Sequence, residues 1–98
     1  MPFAIEFSED AERQLGRMTA RDRNIVLDAI EPQLTHEPTV PTRNRKLLRE
    51  NPLAAWQLRV GDIRVLYNVD GEHATAIVVA IGVKTLNVLT IDETRYSL

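Results

Sequence analysis

The chain has 98 residues, of which 44% are hydrophobic and 27% are charged, values typical of one globular domain spanning residues 1–98 and not of a disordered or fibrous protein. It contains no cysteine, which excludes a disulfide framework and a thiolate metal site. No apolar run approaches the roughly 18–20 residues that cross a bilayer, and the N-terminus lacks the layout of a signal peptide, so we expect a cytoplasmic protein without a membrane partner.

The net charge of −2 conceals three segments of different sign. Residues 1–37 carry eight acids and four bases, residues 38–66 carry six bases and two acids, and residues 67–98 carry four acids and two bases. A basic middle third in an acidic chain is typical of a surface that meets a phosphate backbone or an acidic protein segment. A solvated loop with scattered charges explains the same counts equally well.

The first third of the chain predicts a strand followed by a helical hairpin. Residues 2–7 alternate between apolar and other side chains, as a half-buried strand does. Ser8 is a good N-cap for a first helix, and Thr19 opens a capping box that starts a second one. Pro32 lies inside the second apolar stripe, so we predict a kink or an end of this helix near Glu31.

The rest of the chain predicts a loop and then strands. Residues 36–44 contain two prolines and no useful period, which predicts a loop, and residues 46–49 are predicted to form a short turn of helix. Alternation predicts a hairpin over Trp56–Tyr67, a buried strand over Thr75–Val83 and a last short strand over Leu86–Ile91. The predicted fold class is α+β, with an N-terminal strand and a helical hairpin packed on a four- to five-stranded, largely antiparallel sheet.

The hairpin segment Trp56–Tyr67, Trp-Gln-Leu-Arg-Val-Gly-Asp-Ile-Arg-Val-Leu-Tyr, closely resembles the signature hairpin of the RelE/ParE toxin superfamily. That signature has Leu-Arg, a short turn with glycine, a second arginine, two apolar residues and a tyrosine. The other elements fit in the same order, including a basic loop that ends in Lys46-Leu47 and a strand that closes on Ile81-Gly82. The resemblance covers essentially the whole chain and implies a RelE-like fold.

Members of this superfamily are the toxins of bacterial type II toxin–antitoxin pairs. RelE-like members cleave mRNA on the ribosome without a metal ion, and ParE-like members inhibit DNA gyrase. The resemblance therefore implies a toxin that a cognate antitoxin binds and neutralises. The first hypothesis is RelE-like inhibition of translation by mRNA cleavage, with mRNA and the ribosome as partners; a homodimer and a toxin–antitoxin hetero-oligomer both stay open.

Metal-free cleavage by internal attack needs a group that takes the 2′-OH proton, a group that protonates the leaving 5′-oxygen, and cations for the phosphorane. By resemblance, Arg64 is the phosphate-binding arginine, and its planar guanidinium can contact two phosphate oxygens at once. Arg59 belongs to the same motif and Lys84 takes the place of a later arginine, so these three are the predicted catalytic residues. The residues predicted to bind RNA or an antitoxin are Arg43, Arg45, Lys46 and Arg49. For each of them, a solvated surface cation is the competing interpretation.

The chain departs from the RelE-like pattern at two positions. Leu89 or Thr90 falls where active members commonly have a tyrosine, and Gln57 falls where several ribosome-dependent members have a lysine. Neither leucine nor threonine is an acid at neutral pH, and nothing in the sequence places Tyr96. Two alternatives therefore stay open: a ParE-like gyrase inhibitor, which needs no proton transfer, and a non-toxic member that retains antitoxin binding.

The remaining polar and aromatic residues predict no further site. No spacing of His, Asp and Glu resembles a metal site and no glycine-rich phosphate loop is present, so neither a metal nor a cofactor is expected. His73 follows a turn and His36 ends a helix, where both fit as surface residues. The alternation of the hairpin assigns Trp56 and Tyr67 to packing.

Overall fold

The computed structural model describes residues 2–98, which form two helices and seven strands. In chain order the elements are β1 (Ala4–Phe7), α1 (Glu9–Arg17), α2 (Ala20–Thr35), β2 (Arg45–Leu47), β3 (Trp56–Val60), β4 (Ile63–Asp70), β5 (Thr75–Thr85), β6 (Val88–Ile91) and β7 (Thr94–Tyr96). The helical hairpin packs on one face of a largely antiparallel sheet, which confirms the predicted α+β class. Within these residues the sheet has seven strands, more than the predicted four or five. None of the helices described is long and apolar enough to cross a membrane.

Strand β5 is the longest strand and organises the sheet. The antiparallel order is β2-β3-β4-β5-β6-β7, and β1 pairs with β5 in parallel. One edge of β5 pairs with β4 over residues 75–83. The other edge is divided between β1, at residues 75–78, and β6, at residues 83–85. The division leaves a short stretch of β5 that neither strand reaches.

Two side chains from the start of the helical layer fill that gap. The Ser8 hydroxyl donates to the carbonyl oxygen of Val79 at 2.9 Å, and the Gln14 side-chain oxygen accepts from the amide of Ile81 at 2.7 Å. Buried backbone groups need such partners, because an unpaired one costs as much as a lost hydrogen bond. Ser8 and Gln14 therefore join α1 to the centre of the sheet.

Both helices begin at the predicted N-caps. The Ser8 hydroxyl oxygen accepts from the amide of Ala11, and the Thr19 hydroxyl oxygen accepts from the amide of Asp22, both at 3.1 Å. Each bond satisfies one of the amides that a helix N-terminus leaves without an intrahelical partner. The hairpin of α1 and α2 is therefore defined by its caps, as the sequence predicts.

Helix α2 continues through Pro32 to Thr35, so the prediction that it ends early is wrong. Proline in the last turn removes one intrahelical hydrogen bond, and the carbonyl groups at this end have partners outside the helix. The amide of Phe3 donates to the Thr35 oxygen at 2.8 Å, and the Arg45 guanidinium donates to the Gln33 oxygen at 3.0 Å. These tertiary bonds stabilise the last turn beyond the proline.

Strand β2 replaces the short helical turn predicted at residues 46–49. Arg45–Leu47 pairs antiparallel with β3, so that Arg45 lies opposite Leu58 and Leu47 lies opposite Trp56. A single isolated helical turn is unfavourable because it orders several residues for one hydrogen bond. The free edge of β3 offers a full set of backbone partners instead.

Apolar side chains fill both faces of the sheet. The larger cluster lies between the helices and the sheet and contains Ala11, Leu15, Val26, Ile30, Leu34, Trp56, Leu58, Val65, Tyr67, Ala76, Val78 and Ile81. The second cluster, on the opposite face, contains Ala54, Leu66, Ala80, Leu89 and Ile91. Trp56 and Tyr67 stack in the larger cluster with ring centroids 6.2 Å apart, so their predicted packing role is confirmed.

Tyr67 also fastens the loop that follows α2. Its buried hydroxyl donates to the carbonyl oxygen of Pro38 at 2.6 Å. Burial, opposed in part by the positive charge of Arg45, raises the pKa of Tyr67 to about 12. The folded protein therefore holds the phenol in its protonated form, as the hydrogen bond requires.

We expect Tyr67→Phe to lower the free energy of unfolding by about 1–3 kcal/mol, because it leaves the buried Pro38 carbonyl without a donor. The wild-type contribution is complete below the ordinary phenol pKa of 10.0 and is lost as the pH rises towards about 12. Urea unfolding at neutral and at alkaline pH measures both effects. The two proteins should converge in stability at alkaline pH, and a constant difference would contradict the assignment.

Candidate functional site

Arg59 and Arg64 lie on the face of the sheet that the helices leave uncovered. Successive side chains of a strand point to opposite faces. Leu58 and Val65 are buried against the helices, so their neighbours Arg59 and Arg64 point away from them. The two arginines are also direct partners across β3 and β4, where the Cα atoms of facing residues lie about 4.5–5.5 Å apart.

Lys46 and Lys84 join them on the same face. Arg45 is buried on the helical side of β2, so Lys46 points to the other side. Gly82 is the partner of Arg64 on β5, and Lys84 follows two residues later on that side of the strand. Lys46, Arg59, Arg64 and Lys84 thus cross four neighbouring strands, and we call them the cationic face.

Arg64 is held by the turn that precedes its strand. Its Nη1 donates to the carbonyl oxygens of Gly61 at 2.6 Å and Ile63 at 3.1 Å, while its Nε is buried and has no partner among residues 2–98. Burial and then the nearby Arg59 lower the pKa of Arg64, whereas Asp62 raises it. An arginine nevertheless stays charged. A buried donor without an acceptor is rare in folded proteins.

Among residues 2–98 no carboxylate forms a salt bridge with the cationic face. Arg59 directly opposes Arg64, an arrangement of like charges that is unfavourable in a sheet without a counter-ion. The salt bridges of arginine within residues 2–98 join Arg13 to Asp10 and both Arg13 and Arg17 to Asp92. None of them involves the cationic face. A phosphate backbone is an anion of the right kind for such a surface.

Arg45 is not available as a binding residue, which corrects the sequence prediction. Its side chain is buried, and its Nη1 donates to the backbone and side-chain oxygens of Gln33 at 3.0 and 2.8 Å. Its Nε donates to the carbonyl oxygen of Val40 at 3.0 Å. Arg45 therefore ties the end of α2 to the following loop. Arg43 and Arg49 flank β2 and are exposed, so a binding role stays a prediction for both.

The position of Tyr96, which the sequence leaves open, is set by strand β7. Leu89 occupies the position expected for a tyrosine, and it is 1% exposed and packed in the second cluster. Its neighbour Thr90 points to the other side of β6. Tyr96 lies directly opposite Leu89 on β7, and Lys84 lies directly opposite Leu89 on β5. Lys84, Leu89 and Tyr96 therefore form one row across three strands on the cationic side.

The turn between β6 and β7 is fastened to α1 by Asp92. Its carboxylate accepts from the side-chain amide of Gln14 at 2.8 Å and from Arg13 at 2.5 Å, and it lies 3.5 Å from Arg17. The pKa of Asp92 is lowered, first by the hydrogen bond from Gln14; burial opposes this effect, and the hydrogen bond from Arg13 adds to it. Sequence reasoning missed this contact, since Asp92 and Gln14 are far apart in the chain.

Among residues 2–98 no group of three His, Cys, Asp or Glu could hold a metal ion.

The fold and the face together define a RelE-type toxin scaffold, a sheet with a helical hairpin on one side and basic residues on the other. The chain is 30% identical to Toxin RelG of Mycobacterium tuberculosis over 81 residues. The aligned segment covers 83% of this chain and 90% of that protein. The chain therefore belongs to the RelE/ParE toxin superfamily, among its RelE-like members. No protein-family model matches it.

Solved structures show the same fold. The crystal structure of the toxin–antitoxin complex RelBE2 from Mycobacterium tuberculosis matches with a TM-score of 0.74 and 27% identity, over 86% of this chain and 93% of that one. The intact RelBE toxin–antitoxin complex of E. coli matches with a TM-score of 0.65 and 22% identity, over 85% of this chain and 98% of that one. These relatives are RelE-type, so the ParE-like alternative is not favoured.

Proposed function

We propose that this protein is the toxin of a bacterial type II toxin–antitoxin pair and that it inhibits translation by cutting mRNA on the ribosome. Its RelE-like relatives, which are named as toxins, support the first part. The observation that carries the second part is the cationic face, where Lys46, Arg59, Arg64 and Lys84 point to the same uncovered side. A ribosomal target implies a cytoplasmic protein.

The proposed reaction is an attack of a ribose 2′-oxygen on the adjacent phosphorus, which breaks the bond to the 5′-oxygen. Arg64 donates to the phosphate oxygens, and Arg59 and Lys84 stabilise the negative charge that develops on the phosphorane. One proton leaves the 2′-OH and one is taken up by the 5′-oxygen. With leucine and threonine at positions 89 and 90, that proton transfer lacks a side chain worth about 10²–10⁴-fold in rate, so we expect a slow enzyme.

The proposed protein partner is a cognate antitoxin. The structures similar to this chain include toxin–antitoxin complexes from Mycobacterium tuberculosis and E. coli. In the turn after β5, Leu86 is 91% exposed, and Val83 is 45% exposed on the side of β5 opposite to Lys84. An antitoxin that covers the cationic face would block access to RNA.

Induced expression without an antitoxin tests the proposed function. We expect wild-type protein to arrest growth and to yield cut transcripts, and we expect Arg64→Ala to do neither. Arg21→Ala is the matched control, since it removes the same charge from an exposed site on α2. Growth arrest with intact mRNA and blocked DNA supercoiling would show that the protein is a gyrase inhibitor and not a nuclease. Harmless expression of a folded protein would identify a non-toxic member.

A further inference from the structure

A cavity of about 510 Å³ lies between the loop that follows β2 and the last strand. One wall is formed by residues 48–52 and the other by residues 95–98. Its volume lies within the ~300–1,000 Å³ range of small-molecule sites. Leu48, Pro52 and Leu98 give it apolar surface. A cavity of this size and composition can hold a flat ring.

The polar and aromatic groups of this cavity suit a nucleotide. Tyr96 is half-buried in the wall formed by β7, and the exposed Arg49 lies in the wall formed by the loop. Within residues 2–98 Arg49 has no salt bridge, although Glu50 lies in the same loop. An aromatic side chain beside a guanidinium group is the combination with which proteins bind single-stranded nucleic acids.

The cavity adjoins the cationic face. Tyr96 and Lys84 lie on either side of Leu89, on strands two apart. Neighbouring strands are about 4.7–4.9 Å apart, so two such steps separate the strands of Lys84 and Tyr96. At the other end of the face, Arg49 follows Lys46 by three positions. A single strand of RNA whose phosphate is bound at Arg64 and Lys84 can therefore reach the cavity with a neighbouring nucleotide.

We propose that this cavity receives one base of the bound RNA, stacked on Tyr96, while Arg49 binds the phosphate of the same nucleotide. The proposal rests on the proposed function and adds to it a site that holds the RNA in position. Stacking on an aromatic ring accepts any base, because every base has a π-face. An apolar protein segment fits less well, since it would leave Arg49 without a partner.

An abasic scan of a short single-stranded RNA tests this proposal. The RNA carries 2′-O-methyl groups so that internal attack cannot occur, and one base at a time is removed along it. We expect one position at which loss of the base weakens binding to the wild-type protein by about 5- to 150-fold, the range of stacking on one aromatic ring. Fluorescence anisotropy of a labelled RNA measures the binding.

The same scan on Tyr96 variants locates the effect. Tyr96→Phe keeps the ring and should retain the sensitive position, whereas Tyr96→Leu keeps apolar packing and should lose it. Arg49→Ala should reduce the slope of log affinity against log salt by about 0.7, the value for one lost phosphate contact in a single strand. Arg21→Ala on α2 should leave that slope unchanged. Melting of each variant verifies that it is folded.

Three outcomes would overturn the proposal. If wild-type protein binds this RNA and cuts ribosome-bound mRNA but shows no sensitive position, or if Tyr96→Leu retains it, the base lies elsewhere and the proposed function still stands. If the Tyr96 and Arg49 variants bind an antitoxin weakly and RNA normally, the cavity belongs to the protein partner. If the wild-type protein cuts ribosome-bound mRNA but binds no free RNA, the cavity assignment is wrong and the proposed function still stands, and if it does neither, both are wrong.

Discussion

Replacement of Arg64 by alanine is expected to slow the cleavage of ribosome-bound mRNA by about 100- to 1,000-fold, the usual loss when one donor to a developing negative charge is removed. We expect an effect of this size because the Nη1 of Arg64 is fixed by hydrogen bonds to the oxygens of Gly61 and Ile63, and these bonds orient the rest of the guanidinium. Its Nε is buried and has no acceptor within the described chain. Single-turnover cleavage by purified protein measures the rate.

The Arg64→Lys variant distinguishes the effect of the positive charge on the cleavage rate from the effect of the guanidinium geometry. Arg64→Lys keeps the positive charge but cannot place two parallel donors on one phosphate, so we expect a rate between those of wild type and Arg64→Ala. Arg21→Ala is the control for loss of a cation and should cleave at the wild-type rate. Equal rates for Arg64→Ala and Arg21→Ala would remove Arg64 from the reaction.

Gly82→Ala is expected to lower the free energy of unfolding by about 1–3 kcal/mol, the usual cost of overpacking. A Cβ at this position would overlap the carbonyl oxygen of Thr90 and lie 2.6 Å from the Cγ1 of Ile91. One of these contacts is backbone, so β6 must move away from β5. The shift would also displace Leu89 and the row from Lys84 to Tyr96. In a domain of this size, each kcal/mol lowers Tm by about 4–8 °C.

Gly16→Ala is the matched control for this prediction. Gly16 lies in α1, and a Cβ built on it meets nothing within 4 Å. Alanine at a helical position is more stable than glycine by roughly 0.5–1 kcal/mol, so this variant should be slightly more stable than wild type. Thermal melting of both variants gives the comparison. A Gly82→Ala protein as stable as Gly16→Ala would show that β6 does not lie tightly on β5.

The elements that depend on local physics are predictable from the sequence. Ser8 and Thr19 identify the helix starts because a capping hydroxyl acts on amides three residues away. The hairpin around Gly61 is predictable because alternation assigns Arg59 and Arg64 to one face whatever the rest of the fold is. These are the features on which the family resemblance depends.

The features that depend on tertiary contacts are not predictable in this way. Arg45 belongs to a basic cluster in the sequence, and only the approach of Gln33 and Val40 turns it into a buried structural residue. Helix α2 passes Pro32 because bonds from outside the helix stabilise its end. The choice of β2 over a helical turn depends on the free edge of β3.

Tyr96 is the clearest case of a site residue that the sequence leaves unplaced. The turn before β7 is Asp92-Glu93, with φ angles of 47° and 71°, and it lacks the glycine that usually marks such a hairpin. Its stability comes instead from the bonds of Asp92 to α1. A single sequence does not reveal this hairpin, because its turn has a weak local signal and is stabilised by a contact with residues far away in the chain.

The most direct measurement of the central claim is the chemistry of the RNA ends. Purified protein is added to ribosomes that carry a defined mRNA, and the ends of any fragments are identified. Internal attack predicts cut mRNA with a 2′,3′-cyclic phosphate on one fragment and a free 5′-OH on the other, and much slower cutting by Arg64→Ala. Intact mRNA at saturating protein, or fragments that carry a 5′-phosphate, would contradict the account.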